Sequence, residues 1–126
     1  MVEKPLFFIR LICIIVSIVY KWGDIVIIKH IVLWKVKELY EGKDKKFITK
    51  KMKDDLEGLV GQIDVIKSLN VGIDISGNDN NYDVCLVSEF NDMNDLKAYA
   101  TDPRHLEVGK YIKEVAISRV ATDFEI

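Results

Sequence analysis

The sequence predicts an α+β domain built from two consecutive β-α-β units, and three features predict it. Runs of β-branched and aromatic residues alternate with helical stretches in the order β-α-β, turn, β-α-β. The first helical stretch carries its apolar residues three or four positions apart, the spacing of one buried helix face. Two strand candidates, IVLW (31–34) and VCLV (84–87), are apolar on both parities, as in strands covered on both sides. The order is that of a ferredoxin-like split βαβ repeat: a four-stranded antiparallel sheet with both helices on one face.

Taken in order, the elements begin after a separate segment. Residues 6–20, LFFIRLICIIVSIVY, are apolar apart from Arg10 and Ser17. The run is shorter than the roughly 20 residues of a spanning helix. It also lacks a small-x-small cleavage site, because Ile18, Val19 and Tyr20 are all large. It reads as a short membrane anchor flanked by Lys4 and Lys21, as an extra helix packed on the domain, or as an upstream extension that the functional domain does not need. The last is taken forward, with the anchor as alternative. KWGD (21–24) closes this segment, so the chain divides into an apolar extension, 1–24, and a domain, 25–126.

IVIIKHIVLWKV (25–36) is rich in β-branched residues and predicts the first strand, and GKDK a turn. Ile48, Met52, Leu56, Leu59, Val60, Ile63 and Ile66 predict one stripe of a helix. NVGIDIS (70–76) alternates Val71, Ile73 and Ile75 as a second strand. GNDNN is a turn cluster, and YDVCLVSEF (82–90) a third strand. Residues 91–116 are helical with a break, and SRVATDFEI (118–126) is the fourth strand. One domain of this size has nothing left to cover the second face of such a sheet. A second copy would do so, giving a homodimer with Ile31, Leu33, Cys85 and Val87 in the interface. The alternative is that the N-terminal segment folds back over that face.

Composition narrows the function classes. Of the 126 residues, 49% are hydrophobic and 30% charged, with a formal net charge of −2. That balance gives no electrostatic case for nucleic acid, which calls for a basic domain. The one basic run, Lys43 to Lys53, is interrupted by Asp44, Phe47, Ile48 and Thr49 and reads as a solvated helix face rather than an anion site. Cys13 and Cys85 form neither a CxxC motif nor a Cys/His cluster, so no metal site and no cofactor is expected, and a reduced, cytoplasmic setting fits.

The break in the last helical stretch is explained by Asp102-Pro103. Proline removes an N–H and pushes the residue before it out of helical geometry. It is at home in the first position of a helix, and Asp is a good N-cap. One helix therefore ends near Ala100, and another begins with Asp102 as cap. His105 then sits in its first turn, on one face with Val108, Gly109, Ile112 and Ala116. Glu107, Lys110, Lys113 and Glu114 fall opposite. Gly109 leaves either a small pocket beside His105 or closer helix–sheet packing. In the first strand His30, Val32, Trp34 and Val36 share a face, so His30 can share one interior with His105. Inward histidines serve either as core residues bonded to the backbone or as acid–base groups, with Tyr99 adding a hydroxyl.

IKHIVLWKVKE, SLNVGIDIS, YDVCLVSEF and LKAYATDPRHLEVGKYIKEVAISRVATDFEI fall in the order and spacing of the stress-responsive α/β-barrel domain (Dabb) family, within the dimeric α/β-barrel superfamily. The resemblance runs from about Ile27 to Ile126. It implies a ferredoxin-like fold that dimerises through its sheets into a barrel. One plant relative closes a polyketide by a cofactor-free aldol condensation. Its acid–base Tyr and His match Tyr99 and His105, and a further cavity His matches His30. A third His position holds Val84 here, and Asp102 replaces the first His of the usual His-Pro-x-His signature.

Three functions follow as expectations. The leading one is a homodimer binding a small apolar or aromatic metabolite between sheet and helices, with His30, Trp34, Val84 and Gly109 around it and no nucleic-acid partner. The second is a cofactor-independent enzyme in the cyclase or monooxygenase style, with His105 as base and Tyr99 as donor. The third is a structural stress protein with a filled cavity. A membrane contact is expected only if residues 6–20 act as an anchor.

Overall fold

A computed structural model describes residues 26–126. The apolar segment 6–20 and the anchor, helix and extension readings of it lie outside these residues. Among the described residues no helix is long and apolar enough to cross a membrane.

The order is β1 (Ile28–Val36), a two-rung hairpin of β2 (Leu39–Tyr40) and β3 (Lys43–Asp44), α1 (Lys45–Glu57), β4 (Ser68–Ile73), β5 (Val84–Phe90), α2 (Met93–Thr101), α3 (Pro103–Val115) and β6 (Ala116–Glu125). The main sheet runs β4-β5-β1-β6 and is antiparallel throughout, with the helices on one face. This is the ferredoxin-like α+β fold expected. The small hairpin is an addition to it. Its two central residues, Glu41 and Gly42, take φ of 49° and 77°, the left-handed geometry that a two-residue turn requires.

The alternation in β1 works as the sequence implies. Ile28, Val32, Trp34 and Val36 are buried against the helices, and Ile31 and Leu33 point to the other face. Antiparallel register sets Val32 beside Leu86 and Ala121, and Trp34 beside Val84 and Arg119. α1 contributes Ile48, Met52 and Leu56 to the core, α2 Leu96 and Tyr99, α3 Ile112 and Val115. The basic run around α1 is solvated, as expected: Lys50, Lys51 and Lys53 pair with Asp54, Asp55 and Glu57 one turn on, at 2.6, 2.8 and 2.8 Å.

The elements differ from the sequence reading at several edges. The stripe from Ile48 to Ile66 is not one helix: α1 stops at Glu57 and Gly58 caps it. Leu59 and Ile63 stay buried from an irregular segment, whereas Val60 is 49% exposed. Gly61 there takes φ of 86°, which ends any helical continuation. β4 stops at Ile73, and Ile75 is 99% exposed, because the alternation runs on past the last residue of β5 that can pair with it. β1, β5 and β6 also begin a few residues away from their sequence limits, as frayed ends usually do.

β4 is an edge strand, and its outward N–H at Val71 is met by a side chain. Glu57 Oε2 accepts from Val71 N at 3.0 Å and from Lys53 Nζ at 2.8 Å, tying the end of α1 to the sheet edge. These bonds, that from Lys53 first, hold the Glu57 carboxyl below its ordinary range. Glu57→Ala is expected to lower stability by about 1 kcal/mol, the usual net worth of such a bond. Urea denaturation measures the loss, and the Val71 amide should exchange faster than its neighbours in β4.

Candidate functional site

The break in the helical stretch falls where the proline demands. Asp102 has extended geometry (φ −63°, ψ 133°) and serves both helices. Its N–H donates to Tyr99 O at 3.2 Å and closes α2. Its carboxylate accepts from Arg104 N at 2.8 Å and caps α3, with Pro103 in the first turn. The Arg104 guanidinium also grips that carboxylate, at 2.9 and 2.8 Å, and holds Asp102 down to about 2.

This joint places Tyr99 at the end of α2 against His105 at the start of α3, with ring centroids 4.4 Å apart. Phe90 packs on the same tyrosine at 5.1 Å, and His30 stands 6.4 Å from it. Four rings from β1, β5, α2 and α3 thus meet at one end of a cavity of about 600 Å³. Val32, Trp34, Leu56, Leu86 and Ile112 form its apolar wall. Its volume and lining suit a drug-sized molecule.

His30 and His105 do share this interior, and Trp34 and Gly109 line it with them. A β-carbon built on Gly109 would meet no atom within 4 Å, so the glycine opens cavity space and is not needed for close packing. Val84 lies elsewhere. It is cross-strand from Trp34 and buried in the core, off the cavity wall. Its parity is that of the core face, but at the start of β5 it packs into the core, and Leu86 is the β5 residue that reaches the cavity. Ile31, Leu33, Cys85 and Val87 sit half-buried on the opposite face of the sheet. Nothing among the described residues covers that face, and Cys85 is a free thiol.

Three cavity features escape the sequence reading. His30 Nδ1 bonds to the Asp123 carboxylate, its cross-strand neighbour in β6. Arg119 reaches the cavity from β6. Lys113, expected opposite His105, lines the cavity as well. It stands only about 80° from His105 around the helix, and its long stem covers the remainder. The strand partners could have been found only through the β1–β6 register, which no local pattern carries.

Burial sets the chemistry of Tyr99 and His105. Tyr99 is 1% exposed, and its hydroxyl has no hydrogen-bond partner among the described residues. Burial pushes that phenol up to about 12, so it stays a neutral donor. His105 Nδ1 donates to Ala100 O at 3.1 Å, which leaves Nε2 as the lone-pair nitrogen. Burial pushes the His105 imidazole below its ordinary value. His30 and Arg119 act in the same direction, against the Ala100 carbonyl and Asp102. His30 Nδ1 bonds to the Asp123 carboxylate, and its Nε2 has no hydrogen-bond partner among the described residues. Among the described residues no cluster of three His, Cys, Asp or Glu could hold a metal.

Comparison with protein families matches residues 28–126 to the stress-responsive A/B barrel domain, Dabb. The chain belongs to this family. A Bacteroides fragilis protein described as dimeric with a ferredoxin-like fold shares 33% identity with this Dabb chain. The match covers 79% of this chain and 96% of that one, with a TM-score of 0.72. A dimeric ferredoxin-like protein from Thermobifida fusca is 23% identical over 80% and 92% of the two chains, TM-score 0.69. A Dabb protein from Mesorhizobium loti is 18% identical over 79% and 95%, TM-score 0.62. No curated protein matches the chain.

A neutral His105 has a consequence for pH dependence. Its folded value lies below the unfolded one of about 6.5, so the unfolded chain binds the proton first as pH falls. The stability associated with neutral His105 is complete above that unfolded value and is lost as pH drops toward the folded one. Melting temperatures of wild type and His105→Gln should converge at pH 5 relative to their separation at pH 7.5. Parallel pH profiles would show that His105 is not held neutral.

Proposed function

We propose that this Dabb domain is a homodimer that binds a small apolar or aromatic molecule between its sheet and its helices, in the cytoplasm. The observation that carries the binding reading is the cavity itself. Its apolar wall ends at the Tyr99 ring and at His105, whose Nε2 is free. His105 and His30 are then polar anchors, with Tyr99 as a further one once its buried hydroxyl turns inward, while Trp34 and Gly109 shape the space.

The dimer reading is supported by the outer sheet face. Ile31, Leu33, Cys85 and Val87 make it apolar at its centre, and Val120 and Phe124 of β6 extend it. An exposed apolar patch of this kind marks an interaction surface. The structural neighbours described as dimeric agree with it. The free Cys85 thiol is compatible with the reducing compartment.

A second reading has its own observation. A neutral imidazole with a free lone pair beside a neutral phenol donor is the arrangement of a general base and a proton donor. In this reading the protein is a cofactor-independent enzyme that moves a proton on the bound molecule, His105 taking it and Tyr99 supplying one to an oxygen once its buried hydroxyl turns into the cavity.

Gly109→Leu separates an open cavity from a filled one. The side chain enters free space, and replacing a helix-interior glycine is favourable by roughly 0.5–1 kcal/mol, so the variant should melt no lower than wild type. In a thermal-shift screen with aromatic, quinone and polyketide-like compounds, those that stabilise wild type should leave Gly109→Leu unmoved. Light scattering should return twice the 14.5 kDa chain mass for both. Compounds that stabilise both proteins equally would place the site elsewhere.

The catalytic reading is tested on any compound so found. His105→Ala should abolish its turnover while leaving the mass unchanged. Turnover that survives in His105→Ala would remove His105 as base.

A further inference from the structure

The charge around the cavity is one-sided. The chain as a whole is acidic, at −2, yet among the described residues no Asp or Glu lines the cavity. Its titratable lining residues other than Tyr99 are His30, His105, Lys113 and Arg119. The two carboxylates next to the site are already engaged, Asp102 by Arg104 and Asp123 by His30. Lys113 and Arg119 have no carboxylate partner within 4 Å among the described residues. Most lysines of α1, by contrast, pair with an acid one turn away.

Lys113 has a second explanation, since it lies in the last turn of α3, where a cation offsets the helix dipole. Arg119 has none. It stands mid-strand in β6, cross-strand from Trp34 on the face that carries the cavity. Its charge is felt at His105, whose protonation it opposes. A guanidinium presents a planar fork that matches a carboxylate with two parallel hydrogen bonds.

We propose that the molecule bound here is an acid: an apolar or aromatic body that lies against Trp34, Leu86 and Ile112 and carries a carboxylate held by Arg119 and Lys113. This rests on the cavity being a binding site and names the chemical class it takes. The apolar wall holds the body, the two cations hold the anion, and His105 meets any further oxygen of the molecule.

The test uses the full-length chain and matched pairs: naphthylacetic acid with naphthylacetamide, and decanoic acid with decan-1-ol. Binding is measured by calorimetric titration at low and high salt. The acid of each pair is expected to bind about tenfold more tightly than its neutral partner, and the gap to shrink at high salt, since a pair that remains near solvent is screened. Arg119→Gln should close most of that gap while leaving the neutral compounds bound as before, and Lys113→Gln should close less of it. If acid and neutral partner bind equally, or Arg119→Gln weakens both alike, the anion site is overturned and the apolar cavity stands. If neither member of either pair binds wild type, the anion site falls and the cavity reading falls with it.

Discussion

Pro103 has no N–H with which to continue α2, and it drives Asp102 into extended geometry. Asp102 then does two jobs at once, closing α2 with its own N–H and capping α3 with its carboxylate. The Arg104 grip keeps that carboxylate charged and in place. The rest of the site depends on this joint. A continuous helix would turn about 600° between Tyr99 and His105 and point them apart. The break lets both rings face one end of the cavity, 4.4 Å from each other.

The site is assembled against the preferences of a well-packed core. Among the described residues Tyr99 buries a hydroxyl without a partner, His105 half-buries an imidazole held neutral, and Gly109 leaves space that a side chain could occupy. Each choice costs stability, and all three meet in one place. Around them the packing is conventional. Phe90, Ile48, Met52, Leu56, Leu86 and Val115 are almost fully inaccessible and supply the burial that offsets the site. The two faces of the sheet are thereby divided: one holds the core and cavity, and the other presents a half-buried apolar surface suited to a second copy.

The two histidines show how differently a residue can be placed. His105 is positioned by its own helix, through the cap at Asp102 and the bond to Ala100 O. His30 is positioned by a partner 93 residues away, Asp123, which only the antiparallel pairing of β1 with β6 brings near. Both arrangements leave Nε2 free, although one is local in the chain and the other is not.

What the sequence determined by itself was everything that local chemistry controls. The alternation of Val32, Trp34 and Val36 set the buried face of β1, the Asp102-Pro103 pair set the helix boundary to the residue, and helical spacing turned His105 and Gly109 inward. The family was legible for the same reason, because its motifs are short and ordered along the chain. Local pattern failed where it met no physical partner. Val60 and Ile75 obey helical and strand periodicity yet stand in solvent, since α1 had already ended at Gly58 and β5 offers nothing opposite Ile75. Only the tertiary structure decided that Asp123 orients His30, that Arg119 faces the cavity and that Val84 does not. Those three outcomes follow from strand register, and register is fixed by the whole sheet closing over its core rather than by any stretch of sequence within it.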